Sequence, residues 1–153
     1  MSTELTTKNA IFGDPKYPQQ YTSFKPDTME GKMKLYNAIN SPEKRIADFI
    51  NTPIYVKDVV VMAVELTDKF VTNDANGPWE EEDNNSNRNV RHGFRVILID
   101  TDDVAYTATS NGIYNSVKVL LNVFGTLHFE EGLKMIVKQV QAKNGNTLTL
   151  SLK

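Results

Sequence analysis

The order of structural signals after residue 52 constrains the fold of this chain more than any other feature. A β-rich run extends from Ile54 to Leu66, and a polar insert without periodicity occupies residues 73–89. Apolar residues then alternate from Phe94 to Asp100, Thr101-Asp102-Asp103 makes a turn, and Val104 to Thr109 returns as a partner strand. A long strand, a loop and a hairpin in this order predict a sheet of mainly antiparallel strands.

One short helix and a closing hairpin complete the pattern. Ser110-Asn111-Gly112 supplies a helix cap, and Gly125 ends the helix. The apolar stripe between them consists of Ile113, Val117, Leu120, Leu121 and Phe124. Leu133–Gln141 and Thr147–Leu152 flank Lys143-Asn144-Gly145-Asn146, in which Asn-Gly is a strong turn signal. The whole order predicts a mostly β fold, a five-stranded OB-fold-like barrel with one short helix between strands.

Two segments precede the predicted barrel. Ser41-Pro42-Glu43 is a helix-start signal and Thr52-Pro53 a stop, which predicts a short N-terminal helix that plugs the barrel with Ile46, Phe49 and Ile50. Residues 1–38 lack periodicity and predict an extended or partly disordered arm. We therefore expect an arm at 1–38 and an OB-fold-like binding domain at 39–153 with an acidic loop at 73–89.

The composition and the motif search narrow the function. No apolar run is long enough to span a bilayer and the first residues show no secretory signal, so we expect a cytoplasmic protein, in the host cytoplasm if it is viral. The chain has no cysteine, which excludes disulfides and thiolate chemistry. No phosphate loop, nucleophile elbow or zinc-protease motif is present, and His92 and His128 are interpreted as ordinary surface or turn residues.

The acidic residues leave alternatives open. A turn explains Asp100, Asp102 and Asp103 without an ion, although clustered carboxylates also suit a metal-dependent nuclease. Glu80-Glu81-Glu82-Asp83 is interpreted as a solvated loop, a docking patch for a basic partner or a nucleic-acid mimic, and Trp79 as a loop anchor or a contact residue. We predict no enzyme, no cofactor and no metal.

The charge is segregated along the chain. The net charge is −2, but residues 51–90 carry three Lys and Arg against eight Asp and Glu, whereas residues 91–153 carry seven against five. The predicted barrel can therefore present a local positive surface although the whole chain is slightly acidic.

Aromatic and basic residues interleave on the predicted strands, which is the composition that single-strand binding needs, since bases stack on rings while Lys and Arg bind phosphates. The candidates are Tyr55, Lys57, Phe94, Arg95, Tyr106, Tyr114, Lys118, Lys134 and Lys138. Tyr55 with Lys57 is the preferred pair, because both lie opposite the main apolar parity of their strand. The alternation of Phe94 with apolar residues favours the core, and Tyr106 fits the core and a groove equally well.

A series of short segments in order resembles the small single-stranded DNA-binding proteins of bacteriophages and mobile elements of Gram-positive bacteria. The segments are Asn40-Ser41-Pro42, Asn51-Thr52-Pro53-Ile54-Tyr55-Val56, Val96-Ile97-Leu98-Ile99-Asp100, Tyr106 with Ser110-Asn111-Gly112-Ile113-Tyr114-Asn115-Ser116, Phe124-Gly125-Thr126 and Thr147-Leu148-Thr149-Leu150. The resemblance implies an OB-like barrel that coats replication or recombination intermediates without catalysis. The acidic insert and the first 38 residues depart from that family. The sequence ends in Ser151-Leu152-Lys153 and not in an acidic, phenylalanine-tipped tail, so we do not expect recruitment of partners through such a tail.

The leading hypothesis is therefore sequence-nonspecific binding and protection of single-stranded DNA during phage DNA replication or recombination. The expected partner is single-stranded DNA, with other replication proteins and a homo-oligomer as further candidates, and no membrane. The alternative is a non-enzymatic structural or interaction protein, a virion or replisome component, on a β-barrel scaffold.

Overall fold

The computed structural model describes residues 10–17, 19–66, 80–83, 88–142 and 145–153, without the side chains of residues 65, 66, 80–83, 88–92 and 142. The strands are β1 Gln20–Thr22, β2 Lys44–Arg45, β3 Pro53–Leu66, β4 Glu80–Asp83, β5 Arg88–Asp100, β6 Ala105–Ala108, β7 Leu133–Ala142 and β8 Gly145–Ser151. The helices are α1 Met29–Asn40 and α2 Asn111–Phe124, with 3₁₀ turns at Ile11–Gly13 and Ile46–Phe49.

The strands of the described residues form one curled sheet. Its hydrogen-bonded order is β2-β6-β5-β3-β7-β8, with β1 on β3 and β4 on β5. β3 curls the sheet because residues 53–56 pair with β7, while Val56 and residues 58–66 pair with β5. The mostly β prediction is confirmed, and an OB-fold-like barrel is consistent with this sheet. The predicted count of five strands is wrong, because the short strands β1 and β2 and the insert strand β4 also pair with the sheet.

A bulge in β3 decides which side chains face the core. The register with β5 shifts between Val56 and Asp58. Val56 faces the main core before the bulge, and Val59 and Val61 face it afterwards, whereas Val60 belongs to a second cluster on the opposite face. The sequence predicted one apolar parity through the strand. The parity switches instead, because one extra residue moves every later side chain to the other face.

Helices cover both sides of the central strands. α2 buries Ile113, Val117 and Leu120 in the main core. On the opposite face, which we call the outer face, Ala38 of α1 packs in a small cluster with the central strands. Residues 29–38, which the sequence placed in the arm, thus belong to helix α1. Thr28 caps this helix, and its side chain accepts a hydrogen bond from the Gly31 backbone amide.

The helix predicted from Ser41 is reduced to one 3₁₀ turn. Ser41 caps the C-terminus of α1 instead, and the next residues hydrogen-bond to β6, where the Glu43 amide donates to the Ala105 carbonyl at 3.1 Å. Ile46 is nevertheless buried, and the Phe49 ring packs edge-on against Tyr106. The apolar residues thus reach the core as predicted, but without the predicted α-helix.

The predicted acidic loop at 73–89 contains strand structure. Glu80–Asp83 pairs with residues 88–91, and the register sets Glu80 opposite Arg91 and Asp83 opposite Arg88. Trp79 lies outside the described residues, so its two interpretations stay predictions, as do those for the acidic cluster.

Helix α2 begins and ends as the sequence predicts. The Ser110 side chain accepts a hydrogen bond from the Ile113 amide, and Gly125 closes the helix at a φ of 73°. The helix lies along the edge of β8, where the Leu150 amide donates to Ser116 Oγ at 3.1 Å. Among the helices of the described residues, none is both long and apolar enough to cross a membrane.

Candidate nucleic-acid interface

Tyr55 and Lys134 lie directly opposite each other on β3 and β7. The adjacent register pair, Ile54 and Met135, is buried in the main core. Because successive side chains of a strand alternate between faces, the Tyr55 and Lys134 side chains project from the outer face. Tyr55 is 51% exposed and Lys134 is exposed. An exposed ring beside an ammonium group can stack a base and bind the adjoining phosphate.

Two further lysines extend this surface. Lys57 is half-buried and lies two residues beyond Tyr55, next to the bulge. Lys138 lies four residues along β7 from Lys134 and donates to Asn51 Oδ1 at 3.4 Å. Within the described ranges, Lys57 and Lys134 have no ion-pair partner. We call Tyr55, Lys57, Lys134 and Lys138 the outer-face patch; it unites four of the nine candidate residues.

Phe94 and Tyr114 instead form a stack that packs on the core. Their rings are 4.3 Å apart and inclined by 12°, and Phe12 stacks on Tyr114 at 5.5 Å. The Phe12 amide donates to the Tyr114 hydroxyl at 2.8 Å, and burial raises the pKa of Tyr114. Lys118, one helical turn beyond Tyr114, is exposed. Tyr114 and Lys118, both candidates from the sequence, therefore do not form one exposed surface.

Tyr106 and Arg95 make structural contacts. Tyr106 is buried and its hydroxyl donates to Asp100 Oδ2 at 3.0 Å, and burial together with this carboxylate raises the Tyr106 pKa to about 12. The half-buried Arg95 donates from Nε to Thr107 Oγ1 at 2.8 Å and from Nη1 to the Ile39 carbonyl at 3.1 Å. Arg95 thereby ties the C-terminal end of α1 to β5 and β6.

The aspartates between β5 and β6 stabilise their turn. Asp100 Oδ1 accepts hydrogen bonds from the Asp102 amide at 2.8 Å and from the Val104 amide at 3.0 Å. This is the turn role that the sequence favoured. Among the described residues, no group of three or more His, Cys, Asp or Glu side chains is arranged so that it could hold a metal ion.

Next to the outer-face patch lies a charged cluster around the buried Asp58, which the sequence pattern did not predict. Asp58 is fully buried, and its carboxylate accepts from Ser23 Oγ at 2.7 Å and from Lys34 Nζ at 2.6 Å. His128 Nδ1 lies 2.7 Å from the same carboxylate, and His128 Nε2 lies 2.7 Å from Glu130. Burial opposes the ionisation of Asp58, but the hydrogen bonds from Lys34, His128 and Ser23 outweigh it and lower the Asp58 pKa. The signal in the sequence was Asp58 itself, which interrupts the apolar positions of β3.

The pH dependence of stability should report the charge on His128. Hydrogen bonds to Asp58 and Glu130 raise its pKa above the ordinary 6.5, against a smaller effect of burial. The protonated ring therefore stabilises the fold fully below pH 6.5, and this contribution is lost as the pH rises through the folded-state pKa. We expect the free energy of unfolding, measured with urea across this range, to fall more steeply in the wild type than in His128→Gln.

The two proteins share every other titrating group, so the difference between their curves isolates His128. Asp58 stays ionised throughout this range because its pKa is lowered. Parallel curves for the wild type and His128→Gln would contradict the prediction.

Comparison with known families adds independent information. The model of the family described as phage single-stranded DNA-binding protein, of the Phi29 type, matches residues 18–153. That range includes both helices, all the strands described above and the whole outer-face patch. No curated protein and no solved structure matches the chain.

Proposed function

The chain belongs to the family of Phi29-type phage single-stranded DNA-binding proteins, and from this premise we propose that it coats single-stranded DNA without sequence preference through the outer-face patch. The exposed Tyr55 ring opposite Lys134 is the observation that carries the proposal. Stacking tolerates any base, because every base has a π-face. The coat would protect single-stranded intermediates of phage DNA replication or recombination in the host cytoplasm. Other replication proteins and self-association stay predictions.

The lysines of the patch supply the electrostatic part of binding. Lys57, Lys134 and Lys138 lie on the same side of the sheet as Tyr55, so phosphates can contact them although the whole chain carries a net charge of −2. Each phosphate that a lysine neutralises releases condensed counterions. Added salt opposes this release, so the logarithm of the affinity falls by about 0.7 per phosphate for each tenfold rise in salt. Three contacts predict a slope of about −2.

Titration of fluorescently labelled oligo-dT at low and high salt tests the proposal. We expect binding at micromolar protein in low salt, with an affinity that falls as salt is raised, and similar affinity for a mixed-sequence strand. No binding at micromolar protein in low salt would overturn the proposed function.

Removal of the Tyr55 ring should weaken binding about tenfold, in the range of about 1–3 kcal/mol that one base–aromatic stack contributes. Tyr55→Phe keeps the ring and should bind like the wild type. Tyr36→Ala is the matched control, because Tyr36 is 64% exposed on α1 but lies outside the outer-face patch. Fluorescence anisotropy at fixed salt gives the comparison. Equal affinities for Tyr55→Ala and Tyr36→Ala would exclude stacking at Tyr55.

A further inference from the structure

A cleft of about 450 Å³ lies between α1 and the outer face of the sheet. Its volume is within the roughly 300–1,000 Å³ of small-molecule sites. Phe24, Ala38 and Ile99 supply apolar lining, and Asn37 supplies an amide. Lys57 lines the cleft and also belongs to the outer-face patch, so the two surfaces are continuous.

Three lysines from separate segments line this cleft: Lys25 precedes α1, Lys34 lies within it, and Lys57 comes from β3. Lys34 is already engaged, since its Nζ lies 2.6 Å from Asp58 Oδ2 and 4.5 Å from the centre of the Phe24 ring. Lys25 and Lys57, by contrast, have no ion-pair partner in the part of the chain that the structure describes. Two ammonium groups are therefore available to an incoming anion.

The rest of the lining indicates the kind of ligand. Glu30 and Asp103 also line the cleft, so its charge is mixed and does not favour a bare anion. A nucleotide combines an apolar ring, hydrogen-bonding edges and a phosphate, which match the apolar wall, the Asn37 and Glu30 side chains and the two available lysines.

We propose that the cleft receives one nucleotide of the bound strand, with its base against Phe24 and Ile99 and its flanking phosphates at Lys25 and Lys57. The proposal rests on the proposed function, because the strand would reach the cleft from the outer-face patch through Lys57. It assigns α1, which covers the sheet, a direct part in holding DNA.

Salt titration of a Lys25→Ala variant with labelled oligo-dT is the first test. Losing one phosphate contact should reduce the magnitude of the slope of log affinity against log salt by about 0.7. Lys32→Ala is the matched control, since Lys32 is exposed on α1 and does not line the cleft. A Lys25→Ala slope equal to those of the wild type and Lys32→Ala would overturn the phosphate site.

Filling the cleft is the second test. Asn37→Trp should weaken oligo-dT binding about tenfold if the indole takes the place of a stacked base. Met33→Trp adds the same ring on the exposed side of α1, away from the cleft lining, and should bind like the wild type. Thermal unfolding shows whether both variants fold. If Asn37→Trp does not fold, the surface variant Lys25→Ala decides whether the cleft binds DNA.

The outcomes separate this proposal from the proposed function. Weakening by Lys25→Ala and Asn37→Trp, together with photocrosslinking of a 5-iodouracil oligonucleotide to the peptide that contains Phe24, supports the cleft. If Tyr55→Ala weakens binding but Lys25→Ala and Asn37→Trp do not, the cleft proposal is wrong and the proposed function is still supported. If the wild type binds no oligonucleotide, both are wrong.

Discussion

Replacing Asp58 with alanine is expected to lower the free energy of unfolding by about 3–5 kcal/mol, the usual cost of removing one partner from a buried ion pair. Asp58 is fully buried and accepts hydrogen bonds from Ser23 and Lys34, with His128 at a third contact. Alanine would leave the Lys34 ammonium, whose side chain is 22% exposed, without its buried carboxylate and would remove one of the two partners of the His128 ring. Most of the cost is thus the penalty of stranded donors.

Urea unfolding at neutral pH measures this effect, and Asp103→Ala provides the matched control. Asp103 lies 3.9 Å from the same Lys34 ammonium, but its side chain is 70% exposed. An exposed pair contributes at most about 1 kcal/mol, and alanine at the positive φ of Asp103 (63°) adds a backbone cost, so the control should still cost clearly less than Asp58→Ala. The two variants therefore compare the removal of a buried carboxylate with the removal of an exposed carboxylate near the same ammonium group. A cost for Asp58→Ala no larger than that for Asp103→Ala would show that the cluster does not stabilise the fold.

Asp58→Ala should also loosen α1 before the rest of the molecule. Besides the Lys34–Asp58 pair, α1 is held on the outer face by Arg95, which donates to the Ile39 carbonyl, and by the small cluster around Ala38. Native-state hydrogen exchange should therefore show a larger loss of protection in α1 than in β5, since local opening follows the number of buried contacts.

The elements that the sequence predicted well are those specified by neighbouring residues. The β5–β6 hairpin contains an aspartate-rich turn, α2 begins at the Ser110 cap and ends at Gly125, and β7 and β8 pair on either side of the predicted Asn-Gly turn. Each signal acts within a few residues, so no knowledge of the tertiary structure is needed to recognise it. Simple alternation also placed Tyr55 away from the core, where it is 51% exposed, while its role in binding stays a prediction.

The features that were missed depend on contacts between distant segments. Asp58 obtains partners from Ser23, Lys34 and His128, which follow no common spacing in the chain. The bulge beside Asp58 reverses the alternation of β3, and the charged residues Lys57 and Asp58 in an otherwise apolar run do not by themselves specify an extra residue. Helix α1 escaped notice because it buries a short stripe while exposing Met33 and other large side chains, which weakens the contrast that periodicity detects.

Burial also explains which candidate site residues lie apart from the patch. Tyr106 alternates with Val104 and Ala108 in the way that both a core tyrosine and a groove tyrosine would, and Tyr114 lies beside the apolar stripe of α2. Their hydroxyls are satisfied internally, through Asp100 and the Phe12 amide, so each ring can be buried without an unpaired polar group. The partner of Tyr106 belongs to the same hairpin, but the partner of Tyr114 comes from the N-terminal segment, 102 residues away. The residues around Tyr114 could not reveal that contact.

Gly112→Ala is expected to destabilise the protein by about 3 kcal/mol, at the upper end of the usual cost of overpacking. Gly112 lies in the first turn of α2, where the helix meets the backbone of β8. A Cβ atom at this position would overlap the Leu148 carbonyl oxygen and approach Thr147 Oγ1 to 2.7 Å. Backbone cannot yield as a flexible side chain can, so α2 would have to move away from β8.

The sign of the effect makes this a sharp prediction. At an unobstructed helical position, replacing glycine with alanine stabilises a protein by up to about 1 kcal/mol, because alanine loses less backbone entropy on folding. Asn115→Ala, at an exposed position of the same helix, is the control and should be neutral or slightly stabilising. Thermal unfolding of the two variants distinguishes close packing from helix propensity. A Gly112→Ala protein as stable as the wild type would mean that α2 can shift freely along β8, and the hydrogen bond between Ser116 and Leu150 would then not fix the position of the helix.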